Sequence, residues 1–191
     1  MPLLKLVKAI SQVKGIERIR LGSLEPRIIS EDFTRELASV PQICPHFHLS
    51  LQSGSDTVLK RMNRHYTTEE YLAGLGIARK YFENPAITTD IITGFPGETE
   101  KEFEETMDFA KKAGFAKIHV FKYSRRYGTI ADKMDGQLEE PVKAARSARL
   151  SALEKELGLM YQEQALKEYE NVLFEEIIET GSKKYIVGYN E

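Results

Sequence analysis

Three stretches of this chain place side chains able to bind or react at spacings that local structure could exploit. The first is Gly94-Phe95-Pro96-Gly97-Glu98-Thr99. Glycines after a buried strand let backbone amides approach a ligand, and the amino terminus of a following helix favours anionic or polar groups. The same residues also make a tight, well-capped strand-to-helix turn, which is the commoner role of such a loop. No Gly-Lys-Ser/Thr follows, so this is not a phosphate loop.

The second stretch runs from His46-Phe47-His48-Leu49-Ser50-Leu51-Gln52-Ser53-Gly54 to Asn63-Arg64-His65-Tyr66. His46 and His48 alternate onto one face of a strand, a spacing that metal sites can use. With no carboxylate or thiolate partner at suitable spacing, both are expected to serve packing or hydrogen bonding instead. Gln52 and Ser53 fall where the strand ends and suit ribose hydroxyls, while Arg64 can pair bidentately with a carboxylate or stand as an ordinary surface arginine. The third stretch, Phe121-Lys122-Tyr123-Ser124-Arg125-Arg126-Tyr127-Gly128-Thr129, interleaves aromatics with arginines. That mixture suits nucleotide stacking and phosphate contacts, although solvated cationic loops are commoner. There is no G-x-S-x-G elbow, and Cys44 sits beside Pro45 rather than at a helix start, so hydrolase readings fall away.

Hydrophobic periodicity supplies the elements that would position these groups. Helices are expected over 3–14, closed by Gly15, over 31–39 with Ser30 as cap, over 55–62, over 68–82 behind a Thr67/Glu70 capping box, and over 100–113 behind Thr99/Glu102, stopped by Gly114. Strands are expected at 17–22, 47–51, 86–92 and 117–122, with 23–26 as a loop. Strands separated by helices make βαβ units in a parallel sheet, so the fold class is α/β, and functional groups should gather at the carboxyl edge of the strands. That edge offers Ser23 and Glu25, Gln52 and Ser53, Thr93 and Gly94, and 123–126. Four such strands are few for a closed barrel. A long helix follows over 141–169, with Leu150, Leu153, Leu157 and Met160 at helical spacing. Two strands at 172–178 and 185–189, joined by a turn at Gly181-Ser182, then read as the opening of a β domain, since an isolated hairpin is marginal.

Composition excludes more than it names. With 191 residues and 41% hydrophobic content the chain fits one ordinary globular domain, or one domain plus a fragment. Its apolar runs fall far short of the roughly 18–20 residues that span a bilayer. The start lacks the features of a secretory signal, and the reducing cytoplasm is the expected compartment. A single cysteine excludes a disulfide framework and any multi-thiolate metal site within the chain. The net charge of −2 gives no global electrostatic pull toward nucleic acid.

Taken together, Arg18-Ile19-Arg20-Leu21-Gly22-Ser23-Leu24-Glu25-Pro26, the block 46–64, Asp90-Ile91-Ile92-Thr93-Gly94-Phe95-Pro96-Gly97-Glu98-Thr99 and the segment 121–131 resemble the radical S-adenosylmethionine methylthiotransferases. Within that family, His48-Leu49-Ser50-Leu51-Gln52-Ser53-Gly54 resembles the enzymes acting on tRNA, nearest to the branch that modifies threonylcarbamoyladenosine beside the anticodon. The resemblance implies a partial parallel (βα) barrel followed by a small RNA-binding β-barrel called TRAM. Residues 1–140 would then hold about the last four βα units, 141–170 a connecting or packing helix, and 171–191 the truncated start of TRAM.

The family holds a catalytic [4Fe-4S] cluster through C-x3-C-x2-C, a motif absent here. Met1 is therefore expected to open a truncated chain that is inactive alone. In the complete enzyme, the resemblance implies that the cluster cleaves S-adenosylmethionine to a 5′-deoxyadenosyl radical, leading to sulfur insertion and methylation at an adenine carbon of tRNA. It places Gln52 and Ser53 at the ribose or methionyl part of the cofactor, Arg64 at its carboxylate, and Ile92, Gly94 and Phe95 around its adenine. Tyr123, Ser124 and Arg125 become candidates for substrate contacts. Ser23 and Glu25 become the catalytic-edge candidates. The alternatives are a methylthiotransferase acting on a ribosomal protein and a cluster-free nucleotide- or RNA-binding α/β protein. The missing barrel strands are expected to expose the edge at 17–22 and favour self-association.

Overall fold

The computed structural model describes residues 1–167, 172–181 and 183–189. The expected continuation of the long helix over 168–169 and the turn residue Ser182 lie outside the described residues. Strands β1 (Ser23–Leu24), β2 (His46–Leu49), β3 (Ala86–Thr93) and β4 (Lys117–Lys122) form one parallel sheet in the order β1-β2-β3-β4. Strands β5 (Leu173–Thr180) and β6 (Lys183–Tyr189) pair antiparallel as a separate sheet, with Gly181 in a left-handed conformation at the turn. The α/β expectation holds.

Sequence-local signals set most helix limits. In α2 (Glu31–Ala38) the Ser30 hydroxyl accepts from the Phe33 amide, and both expected capping boxes close, at α4 (Thr68–Tyr81) and α5 (Glu100–Ala113). Gly114, at φ +62°, ends α5. The first helix, α1 (Pro2–Ser11), stops short of residue 14, and Leu6 and Val13 within the expected span are more than half exposed. Ser55 precedes α3 (Asp56–Arg61) without capping it, because its hydroxyl donates to Glu105 instead.

One strand was expected in the wrong place. Residues 17–22 form no ladder beyond a single parallel bridge between Ile19 and Ile43, and the strand lies at Ser23–Leu24, where a loop was expected. Ahead of β2 the His46 amide turns back onto the Cys44 carbonyl at 2.7 Å, so the bridge at Ile19 is not continued into a ladder there. The edge strand on this side, β1, is therefore only two residues long, a poor template for pairing with a second copy.

The core lies between the sheet and its helices. Phe47, Leu49, Ile87, Ile91 and Ile118 face Tyr71 and Leu75 of α4 and Phe103 and Phe109 of α5 within one buried cluster. Thr89 joins strands to helix: its hydroxyl accepts from the Leu51 amide at 2.9 Å and donates to the Leu49 carbonyl at 2.6 Å, a carbonyl that also accepts from the Tyr71 hydroxyl at 2.7 Å. Buried backbone groups past the end of β2 are thereby satisfied.

The long helix α6 (Glu140–Ala165) covers the sheet rather than leading away from it. Leu150, Leu153 and Leu157 are buried, whereas Met160 is exposed. It starts at the carboxyl edge, where Lys143 donates to the Tyr123 carbonyl. It ends at the amino edge, where Tyr161 donates to the Asn84 carbonyl ahead of β3. A side chain grown on Gly158 would meet the Ala116 carbonyl oxygen at 3.4 Å, so the helix passes close to the start of β4.

Glu102 binds α5 to α3. Its carboxylate accepts from both terminal nitrogens of Arg61, at 2.8 and 2.9 Å, and from the hydroxyl of Thr57 and the amide of Thr99. The Arg61 guanidinium above all holds its pKa down at about 2. A depressed carboxylate stabilises the fold above its ordinary value near 4.5 and loses that contribution as pH falls toward 2. Urea unfolding across that range should show stability falling with acid, and Arg61→Gln should flatten the slope.

Candidate functional site

Strand alternation gives the sheet two unlike faces. Opposite the helix-packed core, the inner face presents His46 and His48 from β2, Thr88, Asp90 and Ile92 from β3, and His119 and Phe121 from β4. A closed parallel barrel fills this face with branched apolar side chains, so two neighbouring histidines, a carboxylate and a hydroxyl there mark a chemical surface. Burial pushes the His46 imidazole below its ordinary pKa, helped by Arg20 and His48, so it is neutral at physiological pH.

At the carboxyl edge the inner face opens into a cavity of about 530 Å³. Ile92, Phe95 and Phe121 give it apolar walls, and Gln52, Asp90, Tyr123, Ser124 and Arg126 contribute polar groups. Gln52 adopts φ +70°, a region non-glycine residues rarely enter. Its amide donates to the Asp90 carbonyl and its carbonyl accepts from the Ile92 amide, so the backbone is pinned while the side chain reaches the cavity. Strain of this kind persists where surrounding structure imposes it, and it clusters at functional sites. The Tyr66 hydroxyl donates to the Ser50 and Leu51 carbonyls and steadies the chain leading to Gln52; burial raises its pKa to about 12.

The expected site residues divide. Gln52, Ile92, Phe95, Tyr123 and Ser124 all line the cavity, and the Phe95 and Tyr123 rings meet edge to face with centroids 5.4 Å apart. Ser53 does not: it is fully buried with its hydroxyl 3.3 Å from that of Thr106, accepting from the Ser55 amide. Arg64 is exposed beyond α3, outside the cavity lining, and Glu25 is half exposed and paired with Arg27. Ser23 is an exposed residue of β1. Arg125 is held by Asp132 through its Nε and Nη2 groups, and its neighbour Arg126 lines the cavity instead.

Gly94 has a role other than presenting a free amide. At φ +74° its N–H donates to the Glu98 carboxylate at 2.7 Å, and that carboxylate also accepts from Arg146 of α6 at 2.8 Å. Glu98 and Arg146 expose only 1% and 7% of their side chains. Burial pushes Glu98 above the ordinary carboxylate range, while the Gly94 amide and Arg146 pull it back. The amino terminus of α5 is closed by the Thr99/Glu102 capping box while Glu98 takes up the Gly94 amide, and the loop reads as a tight, capped turn. Asp90 and the Glu98–Arg146 pair are not among the expected site residues, and Arg126, expected at the edge, takes the place expected of Arg125. Asp90 was legible only as the one charged residue inside an apolar strand.

The family model described as the Radical SAM superfamily matches residues 1–110, more than half of the chain. The chain belongs to the radical SAM superfamily. Among curated relatives of this radical SAM chain, a tRNA-2-methylthio-N(6)-dimethylallyladenosine synthase of Parafrankia sp. (strain EAN1pec) is 45% identical over 154 residues, 81% of this chain and 31% of that protein. The threonylcarbamoyladenosine tRNA methylthiotransferase MtaB of Bacillus subtilis (strain 168) is 42% identical over 182 residues, 95% of this chain and 40% of that protein. The chain thus spans between about three tenths and two fifths of the length of these relatives. Among solved structures, coproporphyrinogen III oxidase (HemN) from Escherichia coli, a radical SAM enzyme, aligns with a TM-score of 0.66 at 21% identity, covering 82% of this chain and 36% of that one. That likeness speaks for the fold.

The superfamily uses S-adenosylmethionine and a [4Fe-4S] cluster. The first fits the cavity: apolar walls sit beside convergent polar groups, and the Tyr123 hydroxyl is buried without a hydrogen-bond partner among the described residues. The cluster does not fit this chain's residues. Such clusters are held by several thiolates, and the one cysteine, Cys44, is buried before β2, at the opposite edge of the sheet.

Proposed function

We propose that this chain is the carboxyl-side part of the catalytic barrel of a radical S-adenosylmethionine methylthiotransferase that modifies a hypermodified adenosine next to the anticodon of tRNA. The observation that carries the reading is the polar inner face opening into the Gln52–Tyr123 cavity, in a chain 42–45% identical to relatives named for that activity. Residues 1–140 would be barrel, 141–170 a helix packed on it, and 171–191 the start of a TRAM-like module; the separate antiparallel hairpin supports that last assignment. No helix among the described residues is long and apolar enough to cross a membrane, and tRNA as substrate implies the cytoplasm.

When bound, S-adenosylmethionine supplies the radical chemistry and the methyl group, and the protein supplies orientation. Ile92 and Phe95 offer apolar faces to its adenine. Gln52 offers an amide to ribose or methionyl oxygens, and Tyr123 an unused hydroxyl. Arg126, the guanidinium that lines the cavity, is better placed than Arg64 to meet the methionyl carboxylate. Arg126→Ala in the longer protein is expected to weaken S-adenosylmethionine binding about tenfold by calorimetry, the size of one lost charge-assisted hydrogen bond. The Glu98–Arg146 pair holds Gly94 and hence the cavity wall.

Mass analysis of tRNA nucleosides from cells lacking the gene tests the function. Loss of a methylthio group from threonylcarbamoyladenosine is expected. Loss from the dimethylallyl nucleoside would move the assignment to that branch, and an unchanged nucleoside profile would overturn the tRNA reading.

A further inference from the structure

The inner face holds a second constellation that the cofactor reading does not use. His48, Asp90 and His119 come from the three successive strands β2, β3 and β4. Asp90 and His119 are register partners, and His48 is the register partner of Thr88, the preceding residue on the same face of β3. One ligand atom from each of the three lies within 4.8 Å of the others. His48 Nε2 and Asp90 Oδ2 are 3.2 Å apart, and the His48 and His119 rings approach with centroids at 5.8 Å.

We propose that His48, Asp90 and His119 form a binding site for a divalent first-row transition metal of the zinc type, set in the inner face of the sheet beside the cavity. Two donors bound at about 2.0–2.1 Å in a tetrahedral site stand roughly 3.3 Å apart, and the His48–Asp90 separation already matches. The Thr88 hydroxyl lies 3.0 Å from His48 Nδ1. It engages the nitrogen remote from the site, as outer hydrogen bonds do for ligating histidines, and leaves Nε2 to the metal. His48 and Asp90 are partly buried on paired strands, whereas His119 is exposed. Two imidazoles and one carboxylate suit zinc-type ions, while magnesium and calcium prefer oxygen ligands throughout. Because Asp90 also lines the cavity, the fourth position would open toward whatever occupies it. Nothing local to His48 announces the site, because its partners Asp90 and His119 stand on β3 and β4, more than 40 residues along the chain.

The competing account is a plain His48–Asp90 hydrogen bond that needs no ion. Chelator-treated chain titrated with Co²⁺, and separately with Zn²⁺ by calorimetry, distinguishes the two without involving tRNA or S-adenosylmethionine, so the outcome is independent of the proposed function. One equivalent should bind with the visible absorption of low-symmetry cobalt, and His119→Ala, an exposed position whose loss should leave the unfolding curve unchanged, should weaken binding at least tenfold. Absence of saturable binding would overturn the site, and so would binding that survives His119→Ala unchanged.

Discussion

Arg146→Ala is expected to lower unfolding stability by about 3–5 kcal/mol, the largest effect of any single polar substitution in this fold. Removing one partner of a buried ion pair costs that much because the other charge stays buried without compensation. Here the stranded group is the Glu98 carboxylate, 1% exposed, which keeps only the Gly94 amide among its present donors. Arg146 also donates to the Glu98 carbonyl at 2.9 Å and to Glu100, and its guanidinium lies over the Phe103 ring, 5.5 Å from the centroid. Loss of the cation therefore removes packing as well as charge. The deficit should depend on pH. Burial already raises the Glu98 pKa, and removing Arg146 raises it further, so the variant is worst where Glu98 must be ionised. As pH falls through that raised value the carboxyl takes up a proton, and the gap from the parent should narrow. Denaturant unfolding at neutral and mildly acidic pH reads both terms, and a gap that widens on acidification would refute the account. Glu98→Gln should rescue much of the Arg146→Ala loss, because an amide left without its partner costs far less than a charge.

Gly54→Ala is expected to cost about 2 kcal/mol, with a visible effect on the cavity. An added methyl would meet the Thr106 Cα and the Phe109 Cβ, each at 2.7 Å, and both belong to α5, so neither can swing aside. Overpacking of this kind costs about 1–3 kcal/mol. The φ of Gly54 is not in the left-handed region, so alanine there also gains about 0.4–1 kcal/mol from a less flexible unfolded chain. The steric term wins. Relief requires the 52–54 turn to lift from α5, carrying Gln52 with it, so loss of stability should come with weaker S-adenosylmethionine binding in the longer protein. Stability measured with and without the nucleoside separates the two. The glycine of the Gln-Ser-Gly motif is thus explained by helix contact rather than by ligand approach, and the fully buried Ser53 belongs to the same contact.

The parts of the fold that local chemistry determines were legible in the sequence. Capping boxes at Thr67/Glu70 and Thr99/Glu102, the Gly114 stop, and the branched run of β3 all form as their residues predict. The first strand shows the limit of periodicity. Ile19 and Leu21 are buried and Arg20 is exposed, as alternation requires, yet the ladder forms two residues later. Period two reports which side chains face a core, whereas pairing depends on the neighbouring strand, where the His46 amide turns back onto Cys44. At the site, residues at strand ends were legible because topology sends them to one edge: Gln52, Ile92, Phe95, Tyr123 and Ser124 meet there. Choices between neighbours were not. Arg125 and Arg126 are indistinguishable by type, and only Asp132 capturing the first decides which one faces the cavity. His48 and His119 were legible singly but not as a group, since strand register is what unites them.

Helix α6 also acts as a ruler. Its 26 residues at 1.5 Å each measure about 39 Å, and it runs from the mouth of the cavity, at Lys143 and Arg146, to the far edge of the sheet at Tyr161 and Asn84. Whatever chain continues from it sets out from the end remote from the chemistry. Under the proposed function, a tRNA gripped by that continuation while presenting one nucleotide to the cavity would have to span that length, and a free nucleoside would lack the second foothold.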